Sequence, residues 1–181
     1  MNKGEELEYY EKTNLFGLSN SETGTAYHKF LELCNFYGED AVVQKNEMLK
    51  NGTLLKEQAD LLSDSNLQSI LKLDIFEKIK GRKLIREQKF CCLFNANQLG
   101  FKNSNEQILV QGIVDLLAVN GTDAILIDYK YSTIKNDEDL IKNYYTQLKL
   151  YKEAVEKCSN YKISEVYLVN VLKLKSVKVD F

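Results

Sequence analysis

Proline and tryptophan are absent from the 181 residues, and histidine appears once, at His28. No proline-rich linker is therefore possible, and no low-complexity tract or internal repeat appears. Cysteine is sparse. Cys34, Cys91, Cys92 and Cys158 include no CxxC pair, which argues against a zinc or iron–sulfur site. The expectation is reduced, mostly buried thiols, with the adjacent Cys91 and Cys92 diverging on a strand. No apolar run approaches the roughly 20 residues that cross a membrane. The first twelve residues, MNKGEELEYYEK, are acidic and lack the apolar core of a signal peptide, so a cytoplasmic location is expected. No GxxxxGK[ST] loop occurs, so no nucleotide-driven motor is expected within these residues.

What is present is ordinary for a globular domain with a real core: 44% hydrophobic and 28% charged residues. The net charge of −2 conceals an asymmetry, because residues 1–80 are net acidic and residues 81–181 net basic. The second half could thus face a polyanion.

Along the chain, residues 1–22 form a polar segment and residues 23–181 a single domain. A helix is expected from Thr23 or Thr25, with Tyr27, Phe30, Leu31 and Cys34 as its buried stripe. Residues 40–80 read as helices broken at Gly52 and at Ser63-Asp64-Ser65, with Asn51-Gly52 ending one helix and the stretch from Ser63 to Asn66 capping the next. They look like a helical layer over a sheet. From Gly81 the period changes. Residues 83–94 read as a strand with Glu87 in its middle, and residues 95–106 as a polar loop. Residues 138–158 read as a long helix, residues 166–172 as a strong strand and residues 177–181 as a weaker one. The order implies an α/β fold: a mixed central β-sheet flanked by helices, with a helical region (23–80) before the α/β part (81–181). The long helix is the crossover that a parallel strand pair requires.

The chain is organised around residues 110–130, VQGIVDLLAVNGTDAILIDYK. This stretch reads as two strands joined at Asn120-Gly121, residues that accept the positive φ of a primed hairpin turn. Strict alternation puts Ile113, Asp115 and Leu117 on one face, and does the same for Leu126, Asp128 and Lys130. A carboxylate in an apolar strand is costly unless it is paired or holds a cation. Two carboxylates and a lysine facing one another would make a divalent-metal site with an ammonium beside it. The blander readings stay open here. Asp115 can be a buried pair partner, Asp128 and Lys130 a strand end, and His28 a core or surface histidine. Gln147 and Tyr151, spaced i, i+4, can be a half-buried helix face.

Taken in order, GTAYH (24–28), Glu87 in REQKF (86–90), VQGIVD (110–115), IDYK (127–130) and QLKLY (147–151) resemble the PD-(D/E)XK nuclease superfamily. Within it they are most similar to the RecB-type branch, in which a histidine motif precedes the core and a Q-x-x-x-Y motif follows it. The Gly24-Thr25-x-x-His28 form and the strand pair near the C-terminus are similar to the nuclease domain of AddA-type helicase–nucleases. The resemblance spans roughly residues 23–181.

It implies a restriction-endonuclease-like αβββαβ core, a Mg²⁺- or Mn²⁺-dependent deoxyribonuclease, and a place in double-strand break repair and recombination in the bacterial cytoplasm. By the resemblance, His28, Asp115, Asp128 and the backbone carbonyl of Tyr129 would be metal ligands. Lys130 would orient or activate water or neutralise the phosphate, and Glu87 would be a supporting acid that holds Lys130 or a water at the metal. Gln147 and Tyr151 would position the DNA backbone or brace the site. Relatives with an iron–sulfur cluster carry four cysteines for it. Here only Cys158 lies beyond the Q-x-x-x-Y helix, so no cluster is expected. The implied partners are a single-stranded DNA end, an upstream helicase region of a longer chain and an AddB-like subunit. The alternatives are a stand-alone RecB-like exonuclease and an inactive DNA-binding or scaffold domain of the same fold.

Overall fold

The computed structural model describes residues 22–99, 101 and 106–181. The expected polar segment lies outside these residues except for Glu22, and so do residue 100 and residues 102–105 of the expected loop. Helix α1, Glu22–Leu33, buries Tyr27, Phe30 and Leu31, the expected stripe, and the buried Cys34 follows its end. Helix α2, Ala41–Lys50, starts where the Asp40 side chain accepts the Val42 N–H, and it ends at Asn51 before Gly52, whose φ is +76°. Helix α3 is Lys56–Asp60. Helix α4, Asp64–Ile70, is capped by Ser63, whose Oγ accepts the Asn66 N–H at 3.4 Å. Helix α5 is Asp74–Lys78.

Strands β1 (Lys83–Asn95), β2 (Gln107–Asn120) and β3 (Asp123–Lys130) form an antiparallel meander. Gly121 turns β2 into β3 with a φ of +62°, as expected, but Asn120 does not share the positive φ: it pairs with Asp123, so the two turn residues are Gly121 and Thr122. Helix α6 (Asp137–Cys158) carries the chain over to β4 (Lys162–Asn170), which pairs parallel with β3, and β5 (Lys175–Val179) closes the antiparallel far edge. The result is a five-stranded mixed sheet in the order β1-β2-β3-β4-β5. The α/β expectation holds, and both C-terminal strands begin earlier than expected. Among the described residues no helix is long and apolar enough to cross a membrane.

Two apolar layers hold the sheet. Helices α1–α5 pack their buried side chains on Leu116, Ala118, Ile125, Ile127 and Tyr129. Helix α6 packs Leu140, Leu148 and Val155 against Val114, Leu117, Leu126 and Leu168 on the other face. Covered on both faces, β3 is buried along nearly its whole length, hence its almost unbroken apolar text.

The pleat does not run straight through β2. Leu116 and Ala118 face α1–α5, but Val114 lies with Leu117 under α6, and Ile113 is exposed. The expectation that Ile113 shares a face with Asp115 and Leu117 is thus overturned. The cause is a break in the β1–β2 ladder. Pairing runs to Arg86↔Leu116 and resumes at Gln88↔Val114, skipping Glu87 and Asp115. Glu87 has a φ of +51°, in the left-handed region that side chains other than glycine seldom occupy. That twist reverses the alternation on both strands.

The cysteines also depart from expectation. Cys34 and Cys91 are free, and Cys92 of β1 has its sulfur against that of Cys158 at the end of α6. The divergence of Cys91 and Cys92 is as expected, since Cys91 is exposed and Cys92 buried.

Beyond the break, Phe90 lies over its ladder partner Gly112 and meets Tyr151 of α6 edge-on, at 5.3 Å between ring centroids. A Cβ at Gly112 would sit 2.4 Å from Cζ of Phe90 and 3.2 Å from Cε1 of Tyr151. Gly112→Ala is therefore expected to destabilise the fold by about 1–3 kcal/mol through overpacking, read as a lower urea midpoint. An unchanged midpoint would mean that the ring moves aside freely.

Candidate active site

The β2–β3 ladder ends at Leu116↔Ile127. Beyond that pair the next two residues, Asp115 and Asp128, leave the ladder, and the Asp115 carboxylate enters the gap. Its Oδ2 accepts the Tyr129 N–H at 2.7 Å. Val171 N–H bonds to the Lys130 carbonyl on the β4 side. Backbone alternation therefore directs the Tyr129 carbonyl, like its N–H, toward β2 and Asp115.

Side chains from both layers reach this gap. His28 arrives from α1, with Nδ1 3.4 Å from Asp115 Oδ1, and its ring meets that of Tyr129 edge-on at 5.9 Å. Asp128 and Lys130 lie on the α6 side of β3, as the alternation of that strand predicts, with Lys130 Nζ 2.8 Å from Asp128 Oδ2. Asp128 and Lys130 are 1% and 7% exposed, so each is costly without the other. The pair is close but poorly aligned, leaving Asp128 Oδ2 without a hydrogen-bond partner. On α6, Gln147 Nε2 donates to the Tyr151 hydroxyl at 2.9 Å, while Gln147 Oε1 is buried without a partner. The spacing that put Gln147 above Tyr151 is borne out as contact.

The electrostatics follow from this crowding. Burial alone would lower the His28 pKa, but contact with Asp115 and the charge of Asp128 outweigh it, and the imidazole titrates above the ordinary value. Burial would raise Asp115, yet His28, Lys130 and the Tyr129 N–H hold it below the usual carboxylate range. Asp128 is pushed up to about 6 by burial and by Asp115, against the pull of Lys130. Burial would lower Lys130, but Asp128 and Asp115 raise it. Glu87 is raised by burial, then by Asp115 and Glu32. Its charged surroundings are thus Asp115, Glu32, His28 and Lys29, whereas the ion pair of Lys130 goes to Asp128. The structure therefore does not bring Glu87 and Lys130 together as an ion pair.

One neighbour was given no role from the sequence. The Tyr144 ring of α6 lies 4.9 Å from Lys130 Nζ, closing the ammonium from above. Its position three residues before Gln147, on the same helical face, was the available signal.

Among the described residues no three His, Cys, Asp or Glu side chains form a ready-made cage. The donor set nonetheless fits a hard divalent cation. It offers an imidazole, two buried carboxylates, one of which has an oxygen without a hydrogen-bond partner, and a main-chain carbonyl directed at the same gap. Mg²⁺ and Mn²⁺ take oxygen ligands, and Mg²⁺ keeps several waters, so few protein groups are needed.

A family model described as the PD-(D/E)XK nuclease superfamily matches residues 5–178. Similar relatives each bear the name of the A subunit of an ATP-dependent helicase/nuclease. That of Syntrophomonas wolfei is 29% identical over 166 residues, covering 87% of this chain and 13% of the relative. That of Clostridium botulinum is 28% identical over 176 residues, covering 90% and 14%. That of Listeria innocua is 31% identical over 170 residues, covering 83% and 13%. The likeness to AddA-type proteins is thus borne out, and the chain spans only 13–14% of the length of these relatives. With the match running almost end to end over a mixed sheet whose second and third strands bring two aspartates and a lysine together, the chain belongs to the PD-(D/E)XK nuclease superfamily.

Proposed function

We propose that this chain is the nuclease module of a bacterial, cytoplasmic helicase–nuclease and hydrolyses phosphodiester bonds in single-stranded DNA ends with Mg²⁺ or Mn²⁺. In this reading it works exonucleolytically, behind a helicase region of a longer chain and beside an AddB-like subunit, in double-strand break repair and recombination. The observation that carries the reading is the convergence of His28, Asp115 and the Asp128–Lys130 pair at the end of the β2–β3 ladder. The names of the relatives support the setting.

His28, Asp115, Asp128 and the Tyr129 carbonyl would hold the cation. Bound there, it would supply Lewis-acid polarisation of the scissile phosphate and offset the negative charge that grows on it. The rest is work for the chain. The Lys130 ammonium, fixed between Asp128 and the Tyr144 ring, orients the attacking water and neutralises a phosphate oxygen. Glu87, raised toward the neutral form beside Asp115, is a supporting acid that holds a water. The bond from Gln147 to Tyr151 braces the helix face that would position the DNA backbone. Water adds to phosphorus, a phosphorus–oxygen bond to the sugar breaks, and the departing oxygen takes up a proton.

Purified protein is expected to cleave a labelled single strand with Mg²⁺ or Mn²⁺ and to stop in excess EDTA. Full cleavage in EDTA would end the proposal. Lys130→Ala and Lys130→Met both leave the Asp128 carboxylate without its cation, at a cost of about 3–5 kcal/mol, but Lys130→Met fills the space of the lysine stem and is the cleaner variant. Its rate should fall by about 100-fold or more with an unchanged circular dichroism spectrum. Calorimetric titration of Mn²⁺ should find a site in the wild type that Asp128→Asn loses. A wild type that binds both Mn²⁺ and the strand without cutting would instead be an inactive scaffold.

A further inference from the structure

The last turn of α1 is held by an arginine that the proposed chemistry does not use. Arg86 lies on β1 opposite Leu116, in the final ladder pair before the break at Glu87 and Asp115. Its Nη1, which carries two N–H groups, lies within hydrogen-bond distance of three main-chain carbonyls, Leu31 at 3.2 Å, Glu32 at 2.7 Å and Cys34 at 2.6 Å, so that one N–H is shared. Such carbonyls at a helix end lack N–H partners of their own, and a cation there complements the helix dipole. The guanidinium also lies 4.4 Å from the centroid of the Phe36 ring, which fixes its plane as the carbonyls fix its edge.

His28 sits three and four residues before Leu31 and Glu32, on the adjoining turn of the same helix. One side chain therefore ties the helix that delivers the imidazole to the strand pair whose interruption delivers the carboxylate. We propose that Arg86 is a positioning residue that seats α1 on the sheet and thereby sets the 3.4 Å approach of His28 Nδ1 to Asp115 Oδ1. Arginine suits this task because one nitrogen of its planar head reaches the carbonyls while the guanidinium lies on the ring. A lysine offers only a compact point charge. The consequence for cation binding rests on the nuclease reading, whereas the seating of the helix does not.

Two measurements on the full chain test this. The first is a cycle of Mn²⁺ affinities, by calorimetry, for wild type, Arg86→Gln, His28→Ala and the double variant, with urea unfolding followed alongside. Arg86→Gln is expected to weaken Mn²⁺ binding by about 10-fold or more, as loss of an orienting partner does at metal sites. On a His28→Ala background the same change should cost no more than about twofold, because its route to the cation is gone. The second is the nuclear Overhauser contact between the His28 and Tyr129 rings in metal-free protein. His28 is the only histidine, so its ring signals are unambiguous. The contact should weaken in Arg86→Gln and recover in part in Arg86→Lys.

A merely stabilising arginine would lower the urea midpoint and leave both the affinity of the folded protein and the ring contact at wild-type values, which would overturn the proposal. An equal Mn²⁺ penalty in both backgrounds would overturn it too. If the wild type binds no Mn²⁺, the nuclease reading fails, and the ring contact still decides the role of Arg86. Should Arg86→Gln not fold, Arg86→Lys carries the same comparisons.

Discussion

The Asp115 carboxylate accepts the Tyr129 N–H at 2.7 Å, beyond the last ladder pair of β2 and β3. A buried N–H must be satisfied somewhere, and here a side chain does what a neighbouring strand would otherwise do. That substitution lets the two strands part without leaving the donor bare. The gap so opened admits groups from both layers of the fold, an imidazole from the α1 side and an ammonium from the α6 side. A flat, uninterrupted sheet would have kept those two layers apart.

The charges gathered there explain why the site is held so tightly. Asp115 and Asp128 bring two negative charges into a buried region and Lys130 returns one positive charge, so a further positive charge on His28 or a bound cation is needed for balance. The opposed directions of the two aspartates, one below the carboxylate range and one raised to about 6, express that shortage. Asp115 lies against His28 and a main-chain N–H, while Asp128 has a badly aligned lysine and an acidic neighbour. Separating these groups would leave buried charge uncompensated, which costs more than the pairs contribute when intact.

Much of this was legible from the chain alone, for physical reasons. Asn120-Gly121 announces a turn, whose positive φ Gly121 alone supplies, and α6 announces itself by periodicity. Gln147 and Tyr151 meet because helical geometry fixes the i, i+4 distance whatever surrounds it. The alternation of Leu126, Asp128 and Lys130 held because β3 is unbroken. The same argument failed at Ile113, since it assumes a regular pleat and Glu87 is not a residue whose type advertises left-handed backbone. The contact of Cys92 with Cys158 joins positions 66 residues apart, and nothing local signals it. Arg86 escaped notice because its acceptors are main-chain carbonyls on a distant helix, and carbonyls carry no mark in a sequence.

Glu87 has one more effect, on how the molecule meets copies of itself. β1 is the outer strand of the described sheet and runs for 13 residues, long enough to serve as a template for another chain. Its outward side carries Leu93, which is 49% exposed, beside Leu109 on β2. The φ of +51° at Glu87 divides that ribbon into a run at 83–86 and another at 88–95, while the exposed Lys83 and Lys89 scatter cationic charge along it. An incoming strand finds no straight, neutral border on which to zip up. The irregularity at Glu87 thus also guards against intermolecular sheet growth.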